Sequence, residues 1–177
     1  PTKPVGSVDG GMIVSNDKEK IDRLKIISRY GMTTESNSWE RKIILPGWKM
    51  YMNSVQAYIA MQNFKKLDDK MSRFDEVRAM YNEAFEDLGI HNSSRHLYRL
   101  AVKNRDNFIS NMKHAGIQCG IHYNSVHNIE CYKSLNTTPL PRSEEHALQT
   151  VSIPYHEMLT DEQVKFIVKS VRKFIND

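Results

Sequence analysis

The sequence predicts an α/β chain whose C-terminal part is a small α+β unit. Three observations carry that prediction. A glycine-containing loop runs into a short apolar segment and then a charged helix near the start. Two helical runs follow each other between residues 54 and 88. From about residue 90 onward, short strand-like segments alternate with helices, and Thr160 to Ile175 closes the chain as an amphipathic helix.

In chain order, Pro4 biases Lys3 towards an extended backbone, and Gly10-Gly11 permits a sharp turn. Met12 to Val14 reads as a short strand. Asn16 is placed to cap a helix, with Glu19 at capping-box spacing. Ile21, Leu24 and Ile27 or Ser28 share its inner face, and Gly31 ends it. Residues 32–46 read as a long loop. Asn53 or Ser54 then caps a helix so apolar around its circumference (Val55, Ala57, Tyr58, Ile59, Met61, Phe64) that burial is expected. Helical spacing continues from Leu67 to Phe85, with a break expected near Asp68-Asp69 and a stop at Gly89.

His96 to Val102 alternates as a half-buried strand does. Asn104 or Asp106 opens a helix carrying Phe108, Ile109 and Met112, which Gly116 stops. Ile117 to Ile121 reads as a second strand and Val151 to Ile153 as a third, with a loop over 124–141 and a short helix from Arg142 to Gln149 between them. The expected sheet is small and antiparallel. Thr160-Asp161-Glu162-Gln163 is a capping box. Val164, Ile167, Val168, Val171 and Phe174 or Ile175 form the inner face of the last helix.

Composition narrows the function. At 177 residues the chain can bury a proper core, and its net charge of +4 is modest. Basic and acidic residues are interleaved on every predicted helix, and no aromatic–basic alternation suggests base stacking. Nucleic-acid binding is therefore not expected. No apolar run is long enough for a membrane span. Cys119 and Cys131 in a Met-rich chain with no secretory signal point to a reduced, cytoplasmic setting without a disulfide framework. The spacing of His122, His127 and the cysteines matches no closed zinc pattern, so no metal is expected. The chain opens on a proline, without an initiating methionine, and is expected to be a processed or partial product.

The motifs go further. T-K-P-x-G-x-x-D-G-G-M-I-V-S-N-D, residues 2–17, resembles the segment around the cofactor-binding lysine of the DegT/DnrJ/EryC1/StrS family, the nucleotide-sugar aminotransferases. Two further stretches are similar to family patterns: P-G-W-K-M-Y-M-N-S-V-Q-A at 46–57, and H-x-Y-x-L at 96–100 followed by G-I-x-x-x-x-H-Y-x-x-x-H at 116–127. S-I-P-Y-H-E-M-L-T-D-E-Q-V at 152–164 is similar to the family's C-terminal strand and helix.

The resemblance implies the fold-type I, aspartate aminotransferase-like architecture and pyridoxal phosphate as cofactor. It divides the chain into the end of a large cofactor-binding domain (1–66), a connecting helix (67–88) and a small α+β domain (89–177). Lys3 becomes the catalytic residue, the lysine that forms the imine with the cofactor and shuttles a proton. Related sugar dehydratases carry histidine there. Lys49 reaches the cofactor phosphate across a homodimer interface. Tyr51 stands where the family has Arg or Asn and offers a hydroxyl instead. His122, Tyr123 and His127 are the candidates for substrate contact.

The implied reaction moves an amino group from glutamate to a 3- or 4-keto carbon of a nucleotide-linked deoxysugar. The acid that partners the ring nitrogen lies upstream of the lysine in the family, and Asp9 does not match it. The 177 residues are thus expected to be the C-terminal half of the enzyme and inactive alone. The other reading is a non-catalytic or regulatory relative that keeps the dimer-forming helices, residues 54–88, and binds a partner.

Overall fold

The structure, a computed structural model, describes residues 3–33, 41–135 and 138–177. The chain divides into two compact units, Pro1–Leu67 and Asp68–Asp177.

The first unit holds helix α1 (Lys18–Ile27) and helix α2 (Ser54–Lys65). Asp17, not Asn16, caps α1, its carboxylate accepting from the Lys20 backbone N–H; a carboxylate suits the positive end of the helix. Asn53 and Gln56 form a reciprocal capping box on α2. Gly31, with φ +75°, turns the chain after α1. Residues 43–50 then run back beside residues 27–32. A Cβ on Gly31 would collide with the Leu45 carbonyl oxygen, and one on Gly47 with the backbone of Gly31, so both glycines are required by close backbone approach.

Two further expectations fail in this unit. Met12 to Val14 is exposed and forms no strand, because no neighbouring segment among the described residues takes up its backbone hydrogen bonds. The apolar α2 helix is not buried. Val55, Tyr58, Met61 and Phe64 lie three residues apart on one stripe and are 55–70% exposed.

The second unit begins within helix α3 (Leu67–Ala84), which Lys66 separates from α2, so the break falls slightly before Asp68-Asp69. A 3-10 turn, Glu86–Leu88, ends at Gly89 in the left-handed region. Strand β1 (Tyr98–Ala101), helix α4 (Arg105–His114), helix α5 (Pro141–Gln149), strand β2 (Thr150–Ile153) and helix α6 (Asp161–Phe174) follow. The strands pair antiparallel, Tyr98 opposite Ile153 and Ala101 opposite Thr150. In β1, Tyr98 and Leu100 point inward and Arg99 and Ala101 outward. The expected strand over 117–121 is reduced to one bridge, Gly120 with Ser152, on the other edge of β2. The Ile117 N–H instead closes the turn after α4 on the Met112 carbonyl, and only Gly120 exchanges backbone hydrogen bonds with Ser152; the His122 ring folds back over Gly120 and leaves no room for a Cβ there. Flanked on both edges, β2 is buried at all four positions.

The core of this unit draws on α3, β1, α4, β2 and α6. Phe74, Val77 and Tyr81 face inward from α3, Phe108 and Met112 from α4, and Val164, Ile167 and Val171 from α6. Buried tyrosines carry their hydroxyls to acceptors. Tyr81 donates to the Pro154 carbonyl, Tyr98 to Asn82 and Tyr155 to the Phe74 carbonyl. The Thr160 capping box on α6 is formed as its sequence requires.

Candidate functional site

Each unit carries one group of the residues singled out by the sequence. In the first unit Lys3 is exposed on an irregular loop. Local contacts shape that loop. Ser7 donates to the Asp9 carbonyl, and the Asp9 carboxylate accepts from the Gly10 N–H at 2.9 Å. The amide of Asn63, on α2, donates to the Gly6 carbonyl at 2.6 Å and ties the loop to that helix. A Cβ on Gly10 would come within 2.8 Å of the Met52 methyl. The lysine loop and the segment after Lys49 therefore meet at Gly10 and Met52. The Asp9 carboxylate is engaged in the turn.

Lys49 is placed by backbone alone. Trp48 N–H donates to Ile27 O at 2.8 Å, Tyr30 N–H to Trp48 O at 3.1 Å and Met50 N–H to Ser28 O at 3.0 Å. Lys49 sits opposite Arg29 in this ladder. Its ammonium lies 5.9 Å from the Tyr51 ring centroid, and Tyr51 meets Tyr30 edge-on at 6.5 Å. The cation thus lies near an aromatic ring, and both residues are exposed; an ammonium and a phenol hydroxyl are donors of the kind that suit an anion such as a phosphate. Lys3 supplies an accessible primary amine in the same unit. By chemistry, an amine can react with an aldehyde and an ammonium can bind a phosphate.

The second group lies on the loop after Gly120. The Gly120 N–H donates to Ser152 O at 2.9 Å, and the Ser152 N–H to Gly120 O at 2.7 Å. His122 Nδ1 lies 3.0 Å from the Ser152 hydroxyl, and its ring meets Tyr123 edge-on at 5.0 Å. Tyr123 is 65% exposed. Two 3-10 turns, Val126–Asn128 and Glu130–Leu135, occupy what reads in the sequence as plain loop. His127 is largely buried and holds Glu144 of α5 through Nε2 at 3.0 Å. The His127 bond and the Leu140 N–H keep the Glu144 carboxyl below its usual range. Asn124, Ser125, Asn128 and Glu144, with Arg105 and Leu148, line a cavity of about 530 Å³.

Of the three residues, Tyr123 is the one most open to a ligand, while His122 and His127 are held by Ser152 and Glu144. Neither partner stands out in the sequence. Glu144 reads there as an ordinary acid in a first helical turn, and Ser152 as a polar residue in a strand. Among the described residues no group of three or more His, Cys, Asp or Glu side chains is arranged to hold a metal ion. Cys119 and Cys131 are free thiols. No helix among the described residues is long and apolar enough to cross a membrane.

A family model, the DegT/DnrJ/EryC1/StrS aminotransferase family, matches residues 1–172. The chain belongs to that family. Among curated relatives it is 25% identical to the spore coat polysaccharide biosynthesis protein SpsC of Bacillus subtilis, over 98% of this chain and 51% of SpsC. It is 26% identical to a UDP-4-amino-4,6-dideoxy-N-acetyl-beta-L-altrosamine transaminase of Campylobacter jejuni, over 94% of this chain and 48% of that protein. Its fold matches PseC of Helicobacter pylori, an aminotransferase involved in the biosynthesis of pseudoaminic acid. The TM-score is 0.88 at 26% identity, covering 98% of this chain and 50% of PseC. A family aminotransferase from Brucella abortus gives a TM-score of 0.83 at 25% identity, covering this whole chain and 49% of that one. The chain spans about half the length of the curated relatives it matches.

Proposed function

We propose that these residues form the lysine-bearing half of a pyridoxal-phosphate-dependent aminotransferase of fold-type I. Its substrate is a nucleotide-linked 3- or 4-keto deoxysugar and its amino donor is glutamate. In this reading residues 1–66 close the large domain, 67–88 connect and 89–177 form the small domain. The enzyme works as a cytoplasmic homodimer. One observation carries the reading. Lys3 stands exposed on a loop tied to α2 through Gly6 and Asn63, in a chain that the family model matches almost from end to end.

The cofactor supplies an electron sink that makes a proton on the adjacent carbon removable. Lys3 would hold the cofactor through its amine and, once displaced, carry that proton between carbons. Lys49 would place its ammonium on the phosphate of the partner subunit's cofactor, with the Tyr51 hydroxyl beside it. His122, Tyr123 and His127 would border the sugar. The acid for the ring nitrogen is not assigned to any of these residues.

Borohydride reduction of the complete protein with pyridoxal phosphate, followed by peptide mapping, tests this directly. The expected adduct is on Lys3, and Lys3→Ala removes it. An adduct on another lysine would overturn the assignment. No adduct in the folded protein would favour a non-catalytic, partner-binding relative.

A further inference from the structure

The loop after β1 and α4 is tied to the α5–β2 segment at successive points. Gly120 and His122 are held by Ser152, the Ser125 hydroxyl donates to the Ser143 carbonyl at 3.0 Å, and His127 is held by Glu144. Three of these ties use backbone or hydroxyl groups that many sequences would supply. The fourth does not. A single oxygen of Glu144, Oε1, receives His127 Nε2 at 3.0 Å and the Leu140 N–H at 3.2 Å. His127 and Leu140 are thirteen positions apart, so one carboxylate oxygen holds two points of the chain that are distant in sequence. Fixing two such points costs conformational entropy, and a group that bonds both offsets part of that cost in one place.

We propose that Glu144 is a positioning residue for the substrate-facing loop; this rests on the proposed role of that loop in bordering the sugar. A carboxylate opposite Nε2 accepts a hydrogen bond from a protonated Nε2. Of the two neutral imidazole tautomers it therefore favours the one protonated at Nε2, which leaves Nδ1 as the acceptor. Glu144 thereby sets both the orientation of the His127 ring and which of its nitrogens can accept from a ligand hydroxyl. The same carboxylate lines the cavity shared with Asn124, Ser125 and Asn128, so the ring, the loop and the cavity wall are fixed together. A histidine that reads as a free substrate contact is instead a contact whose chemistry a residue on α5 dictates.

The test uses Glu144→Ala and Glu144→Gln in the complete protein. In the parent, ¹⁵N spectra of labelled histidine show His127 as the Nε2-protonated tautomer at alkaline pH. E144A shifts it towards the mixture of a free imidazole, whereas E144Q, whose amide oxygen still accepts, retains the Nε2 proton. In steady state E144A raises KM for the keto sugar about tenfold with kcat little changed, and E144Q recovers most of that loss. An unchanged tautomer in a folded E144A protein overturns the proposal, as does a loss that E144Q does not recover. If E144A does not fold, His127→Gln takes its place: it must reproduce the KM rise, and adding E144Q to it must cost no more. The tautomer readout needs no turnover. A protein without aminotransferase activity would sink the proposed function while the spectra still decide the role of Glu144.

Discussion

The two units solve the same problem to different degrees. From Phe74 to Val171, the described residues of 68–177 bury seventeen hydrophobic side chains in one core. The described residues of 1–67 bury no hydrophobic side chain, and only Gly31 among them is buried. Yet the first unit is not poor in apolar residues, since Met12, Ile13, Trp48, Val55, Tyr58 and Phe64 all stand exposed. Capping, glycine turns and backbone ladders shape both units alike. What separates them is an opposing layer. The second unit has helices on hand to cover its sheet, whereas the apolar stripe of α2 has no facing element among the described residues. Local structure can thus form without a core, but stability comes from burial.

The sharpest way to break this comparison is to truncate one phenylalanine in each unit. Phe108→Ala removes a fully buried ring and should cost about 3–5 kcal/mol in denaturant unfolding. Phe64→Ala should stay within about 0.5 kcal/mol, as a surface change does. Equal losses would mean that α2 is covered in solution by another surface.

A second effect belongs to the second unit alone. Burial pushes the Tyr98 phenol up to about 12 and raises that of Tyr81 still further. The folded state then binds more protons than the unfolded state above ~pH 10, where an unfolded tyrosine ionises. Stability present below that pH is lost as pH rises towards 12. Circular dichroism should show the sheet and α6 melting over this range, and Tyr98→Phe should blunt the pH dependence. A pH-independent midpoint between 9 and 12 would contradict the burial of these rings.

The smallest contrast is between two capping boxes. Thr160→Ala removes the cap of α6, a helix whose inner face is core, and should lower the unfolding free energy by about 1 kcal/mol. Asn53→Ala removes an equivalent cap from exposed α2 and should reduce helicity slightly without moving the cooperative transition. A shift of that transition by N53A would show that α2 unfolds with the core.

How far the sequence could be read follows the same division. The caps at Asn53 and Thr160, the alternation in β1, the inner face of α6, the antiparallel pairing and the family were all legible, because each rests on near neighbours or on motif spacing. The failures each needed a distant partner. Met12 to Val14 had strand composition without a neighbouring strand, and α2 had core composition without a facing layer. Ile117 to Ile121 kept a single bridge because the Ile117 N–H is spent on the Met112 carbonyl and only Gly120 meets β2.

The site divides likewise. The residue types of Lys3, Lys49, Tyr51, His122, Tyr123 and His127, and the chemistry they suggest, were fixed by the sequence alone, since motif and side-chain chemistry are local properties. Only the tertiary structure decided that Lys49 is held by a backbone ladder with residues 27–30, and that His122 and His127 are gripped by Ser152 and Glu144. Those partners lie from 17 to 30 positions away in the chain. A hydrogen bond over that separation leaves no periodicity to read, because it depends on where folding brings two segments and not on what stands beside each residue.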